Sequence, residues 1–262
     1  VKRFFPILII IILLGSAACT NTSDDEVKLR VGATPVPHAE ILEEIKPLLA
    51  EKGIELEIIE FTDYVQPNLQ LGDGEIEANF FQHIPYLEAF CADHSLELTH
   101  IASVHIEPMG IYSHQFEDPA AIPSPARVAI PNDATNSGRA LLLLEKSGLI
   151  DLKTDELPTP ADVTPASHDL EIIELEAASL PRTLVDVDLA VINTNYALEA
   201  DLNPVEDSLF IEDASSPYVN VLAVRQEDAD KESLQELARV LTSSEVREFI
   251  QENYGQAIVP AF

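Results

Sequence analysis

The sequence predicts an α/β protein with largely parallel sheets, and three observations carry that prediction. Strand-like and helix-like segments alternate along the chain from residue 27 onward. Its 262 residues suffice for one large domain or for two lobes of roughly 100 residues each. Two passages, "EDPAAIPSPA" (117–126) and "DASSP" (213–217), interrupt the alternation and read as crossings between lobes.

The first element, "VKLRVGAT" (27–34), alternates like a strand and ends in a Gly-containing turn. In "HAEILEEIKPLLAEKG" (38–53), Ile41, Leu42, Ile45, Leu48 and Leu49 recur at helical spacing and Gly53 stops the helix, while Pro47 is expected to kink or divide it. A second strand is "IELEIIEF" (54–61). A third, "EIEANF" (75–80), places Ile76, Ala78 and Phe80 on one face, with residues 81–84 as the turn before a helix that Pro85 opens. The stretch "ANFFQHIPYLEAF" thus becomes a strand-to-helix junction, and ligands of open α/β sheets gather beyond the carboxyl ends of strands. Core packing accounts for Phe80, whereas Phe81 and His83 suit ligand contact and packing equally.

"RVAIPNDATNSGRALLLLEKSGL" (127–149) is strand, loop and helix, and places Arg139 in the first helical turn behind Gly138. A cation there opposes the helix dipole unless an anion accompanies it, so a carboxylate or phosphate site and a surface ion pair are both open readings. The strands "LEIIELE" (170–176) and "VDLAVI" (187–192) follow, with a short helix from Ser179 between them. "NTNYA" then offers Asn193, Thr194 and Asn195 to a polar ligand or to a turn. In the strand "YVNVLAVR" (218–225), Asn220 stands among apolar residues and needs a partner if buried. Helices over 231–242 and 244–254 close the chain.

The opening "VKRFFPILIIIILLGSAACTNTSDDE" reads as an export signal: Lys2 and Arg3, an apolar stretch over 4–14, then small residues ending at Cys19. The apolar stretch is about half the roughly 20 residues a spanning helix needs. Cys19 sits where a bacterial lipoprotein signal places its acylated cysteine, although Ser16 occupies a position usually aliphatic. Residues 20–26 would then be a tether. Cys91 is left without a disulfide partner and is expected to be a small buried hydrophobe. The formal net charge of −31 argues against nucleic acid or anionic lipid as partners.

No Gly-rich phosphate loop, G-x-S-x-G elbow or H-E-x-x-H pattern is present, and Cys91 with His94 lacks the second ligand pair of a zinc site. No catalytic residue, metal motif or cofactor is indicated, and the chain reads as a receptor for a zwitterionic apolar metabolite, methionine or another apolar amino acid, rather than an enzyme, the alternative being an exported metal-binding protein built on dispersed histidines.

Taken together and in order, "VGATPVPHAEIL", "EFTDYVQPN", "ANFFQHIPYL", "HIEPMGIYS", "PNDATNSGRALLLLEKSGLI", "LAVINTNYA" and "YVNVLAVR" resemble the methionine-binding lipoproteins, the substrate receptors of the methionine ABC importer. The resemblance implies a two-lobed type II periplasmic-binding-protein fold with a ligand cleft between the lobes. It divides the chain into a signal peptide (1–18), a tether (19–26), one lobe of 27–112 with 217–262, and a second of 113–216. It further implies methionine as ligand, the L-form preferred, delivery to a permease driven by cytoplasmic ATPases, and a lipid anchor on Cys19 at the outer face of the bacterial cytoplasmic membrane. Matched residue by residue, Arg139 would bind the α-carboxylate, and Asn195 and Asn220 the amino-acid head. Tyr64, Phe81, His83 and Tyr86 would wall the thioether, since sulfur against aromatic edges gains roughly 0.3 to 1.5 kcal/mol per contact.

Overall fold

The computed structural model describes residues 27–213 and 216–262; the export signal, Cys19 and the tether lie outside the described residues. In chain order the strands are β1 (Val27–Ala33), β2 (Ile54–Glu60), β3 (Ala78–His83), β4 (Leu98–Ile106), β5 (Gly110–Tyr112), β6 (Ala126–Pro131), β7 (Ile150–Leu152), β8 (Val163–Pro165), β9 (Leu170–Leu175), β10 (Leu189–Ile192), β11 (Phe210–Ile211), β12 (Val219–Arg225) and β13 (Val259–Pro260). The helices are α1 (Glu40–Ala50), α2 (Gln66–Gly72), α3 (Ile84–His94), α4 (Ala134–Lys146), α5 (Leu180–Thr183), α6 (Thr194–Glu199), α7 (Glu232–Leu241) and α8 (Ser244–Tyr254).

Two sheets carry the molecule, one ordered β13-β4-β12-β3-β1-β2 and the other β11-β5-β10-β6-β9. They are mixed rather than largely parallel. β1 pairs in parallel with β2 and β3, and β6 with β9 and β10. The antiparallel pairings belong mostly to the strands beside the crossings: β12 enters between β3 and β4, and β5 runs against β10 and β11. A strand arriving from the other sheet is not joined to its neighbour by a βαβ crossover, the connection that parallel neighbours need, so it can pair antiparallel.

The first crossing is not where the sequence put it. β5, assigned to the first lobe by the boundary at 112, pairs in the second sheet, so the chain changes sheets over residues 107–109. Pro108 there donates no amide to a ladder. Gly110 follows, where a Cβ would lie 2.7 Å from the Tyr112 ring. The Pro-rich passage at 117–126 is instead a loop leading into β6 of that same sheet. The chain returns to the first sheet between Ile211 and Val219.

Each sheet has its own core. Ile41, Leu42, Ile45 and Leu49 of α1 and Leu234, Leu237 and Leu241 of α7 pack with Leu29, Val31 and Phe80. In the second sheet Leu141 and Leu144 of α4 pack with Val128, Ile130 and Val191. Pro47 neither divides nor ends α1: it lies on the exposed side. There water can satisfy the carbonyl its missing N–H leaves free.

β3 departs most from expectation. It starts at Ala78 and runs through His83, and all six residues are buried. Phe81 and His83 are therefore strand residues, and Ile76 precedes the strand and packs with Phe61 and Leu71, away from the cluster holding Ala78 and Phe80. Gln82 and His83, expected in the turn between the strand end at Phe80 and the helix opened by Pro85, are instead buried and hydrogen-bonded within the strand. Pro85 lies in the first turn of α3, as expected. Cys91 is half-buried rather than fully buried.

Candidate functional site

The carboxyl ends of β3, β4 and β10, the first two turns of α4 and the start of antiparallel β12 converge on one cleft between the sheets. The space between its walls, open solvent included, is about 330 Å³. All seven predicted ligand residues line it: Tyr64, Phe81, His83, Tyr86, Arg139, Asn195 and Asn220. Gln82, Glu107, Asn136, Asn193 and Thr194 complete the lining.

One end is aromatic. The Tyr64 ring lies 5.8 Å from both Phe81 and Tyr86, and Phe81 lies 6.1 Å from Tyr86, spacings of favourable edge contacts. The Tyr86 hydroxyl donates to the Tyr64 carbonyl at 2.9 Å, which sets the two rings relative to each other. His83 ends β3 and caps α3, its Nδ1 accepting from the Tyr86 amide at 3.1 Å. That bond leaves Nε2 to carry the proton and donate to Asn136 Oδ1 at 3.1 Å. Burial, with Arg139 nearby, pushes the His83 pKa down to about 3, so the imidazole is neutral.

The other end is polar. Arg139 lies in the second turn of α4, not the first, because the helix begins at Ala134. The anion at the helix start is the chain's own Asp133, whose carboxylate accepts from the Asn136 amide at 2.9 Å. The guanidinium is buried and gripped from one side: Nε donates to Glu212 at 2.8 Å, and Nη2 to Glu212 at 2.5 Å and to the Glu107 carbonyl at 2.7 Å. Tyr218 stacks on it at 4.2 Å. Among the described residues these bonds use Nε and Nη2, which leaves Nη1 to meet a further carboxylate.

Asn195 accepts at Oδ1 from the Tyr64 hydroxyl at 2.5 Å, and its buried Nδ2 has no hydrogen-bond partner among the described residues. Asn193 donates to Asn136 Oδ1 at 3.0 Å, and its own Oδ1 is likewise buried and unpartnered. Asn220 stands in register between His83 of β3 and His105 of β4, with Oδ1 at 3.4 Å from His38 Nε2.

Sequence reasoning missed Glu107, in the crossing itself. Its Oε1 lies 2.7 Å from His105 Nε2 and 3.2 Å from His38 Nε2, and Oε2 accepts from the Asn195 amide at 3.2 Å. Burial works to raise the Glu107 pKa, but His38, His105 and Arg139 together hold it below the usual range. His38, His105 and Glu107 bring their ligand atoms within 4.8 Å of one another, close enough for a metal ion. Holding one would require them to give up these hydrogen bonds. No local motif announces the trio, because residues 38 and 105 meet only through the sheet.

A model of the NlpA lipoprotein family matches residues 29–262. Among curated proteins, the chain is 40% identical over 233 residues to a probable D-methionine-binding lipoprotein, MetQ, of Vibrio cholerae, covering 88% of this chain and 87% of that one. It is 38% identical to membrane lipoprotein TpN32 of Treponema pallidum, covering 97% and 95%. Among solved structures, a nutrient binding protein from Burkholderia cenocepacia bound to methionine superposes with a TM-score of 0.87 at 40% identity, covering 89% of this chain and all of that one.

Proposed function

The chain belongs to the NlpA lipoprotein family, and we propose from that premise that it is an exported substrate-binding lipoprotein that takes up methionine between its lobes and delivers it to an ABC permease. One observation carries the reading. A single cleft joins an aromatic wall to a polar end where a guanidinium, a carboxylate and two unpartnered amide atoms lie together. A methionine zwitterion complements that arrangement, with its carboxylate at Arg139 Nη1 and Asn195 Nδ2, its head otherwise held by Asn220, and its thioether against Tyr64, Phe81, His83 and Tyr86. Relatives whose names record methionine binding support the same ligand.

Closure around the ligand follows from the bonds that span the cleft. His83 to Asn136, Tyr64 to Asn195 and the Tyr196 hydroxyl to the Thr62 carbonyl all link the two sides, so entry requires a hinge motion at the crossings. Acylation at Cys19 would hold the receptor at the outer face of the membrane beside its permease. Among the described residues no helix is long and apolar enough to cross a membrane.

Calorimetry on refolded, ligand-stripped protein tests the reading, with L-methionine and D-methionine titrated separately. Heat of binding with one or both is expected; none with either isomer refutes it.

A further inference from the structure

The buried carboxylate of Glu107 is held in an unusual way for an anion. Oε1 is approached by two imidazoles, His105 Nε2 at 2.7 Å and His38 Nε2 at 3.2 Å, all three side chains being buried. His38 Nδ1 lies 2.7 Å from the Thr34 hydroxyl, which can donate into it and so leave the proton on Nε2, facing Glu107 and Asn220. Oε2 accepts the Asn195 amide at 3.2 Å on the side that lines the cleft. The backbone carbonyl of the same residue accepts from Arg139 Nη2 at 2.7 Å.

From this geometry we propose that Glu107 seats the ligand's ammonium group and that His38 and His105 are positioning residues that keep its carboxylate ionised and aimed; the proposal rests on the amino-acid reading above. Imidazole N–H donors suit the task better than a lysine or an arginine. A lysine or arginine on Oε1 would neutralise the carboxylate and compete with an arriving ammonium, whereas two imidazole N–H groups favour the charged form and leave its charge available. Glu107 also sets the spacing of the zwitterion's two seats. Its side chain offers the anion and its carbonyl anchors the guanidinium, so a single residue in the crossing fixes their separation. His38 follows β1 and His105 lies in β4, so both sheet-end elements must be in place before the seat is formed.

The test compares methionine with 4-(methylsulfanyl)butanoate, which keeps the thioether and carboxylate but lacks the ammonium. In His105→Leu and His38→Leu, methionine affinity is expected to fall about 10- to 100-fold, while affinity for the des-amino acid stays within about threefold. His105→Gln, which can still donate an N–H, should recover most of the loss. Glu107→Gln, nearly isosteric, should weaken methionine at least as much as His105→Leu and leave the des-amino acid unaffected or tighter. Equal losses for both ligands in the histidine variants, or no loss for either, would overturn the proposal, as would a stoichiometric metal on elemental analysis of the purified protein. Absence of methionine binding by the unmutated chain would instead remove the reading on which it rests. Should the leucine variants fail to fold, the ligand ratio in Glu107→Gln and His105→Gln decides: Glu107→Gln must lose selectivity for the ammonium and His105→Gln must keep it.

Discussion

Two buried amide clusters flank the cleft, and they differ in one respect. On the first-sheet side, Asn68, Asn79 and Gln82 form a closed set: Asn68 and Gln82 exchange bonds of 2.8 and 2.7 Å, Gln82 donates to Asn79 at 2.9 Å, and Asn79 donates to Asn68 at 2.8 Å. On the second-sheet side, Asn136 spends its amide on Asp133 and its oxygen on His83 and Asn193, leaving Asn193 Oδ1 and Asn195 Nδ2 buried and unpartnered among the described residues. Buried polarity alone does not mark a site. A closed network rigidifies the fold, while an open one carries a cost that a ligand can relieve.

Acid should strain the molecule most, and through two buried imidazoles, one of which, His83, joins the two sides. Burial lowers His38 to about 4 and His83 to about 3, against 6.5 for free histidine. The unfolded chain therefore takes up protons that the fold refuses, so stability is full above pH 6.5 and falls as pH drops toward the folded values. Urea melts at pH 7 and 4.5 should differ by roughly 5 kcal/mol from these two groups. Glu107, Glu77 and Asp228, all lowered, act in the same direction. A flat profile would mean that these imidazoles are not buried as described.

Next in size is Arg139→Ala, which removes the cation and strands Glu212; methionine affinity measured by calorimetry should fall about 100- to 1000-fold, some 3 to 4 kcal/mol. Asn68→Ala opens the closed cluster and should cost about 2 to 4 kcal/mol, read as a melting temperature lower by roughly 5 to 12 °C, with affinity within about threefold. Asn195→Ala should act mainly on binding. Affinity drops about 10- to 100-fold, while the ligand-free melting temperature falls less than in Asn68→Ala, because the lost bond from the Tyr64 hydroxyl is partly offset by removal of a buried unpartnered donor. If Asn68→Ala weakens binding as much as Asn195→Ala does, the distinction between the clusters collapses.

Periodicity and turn chemistry made much of this legible. The α1 face of Ile41, Leu42, Ile45 and Leu49 and Pro85 at the start of α3 follow from local pattern, and the seven residues drawn from the resemblance line one cleft. What failed was long-range. Gln82 and His83 look like turn residues until Asn68 and Asn136, far away in sequence, satisfy them inside a strand. Glu107 sits in "HIEPMGIYS", which reads as one continuous stretch although the chain changes sheets within it. Nor does the sequence show that Arg139 already holds a carboxylate, since Glu212 reaches it from 73 residues away.

That guanidinium, held by the Glu107 carbonyl and the Glu212 carboxylate, bears on kinetics. A zwitterion has no net charge, so the field of a chain of formal charge −31 exerts only a torque on it, turning its ammonium end inward. Capture should thus proceed at a rate nearly indifferent to ionic strength, the acidic exterior acting as a filter that turns away free organic anions before they reach the cleft.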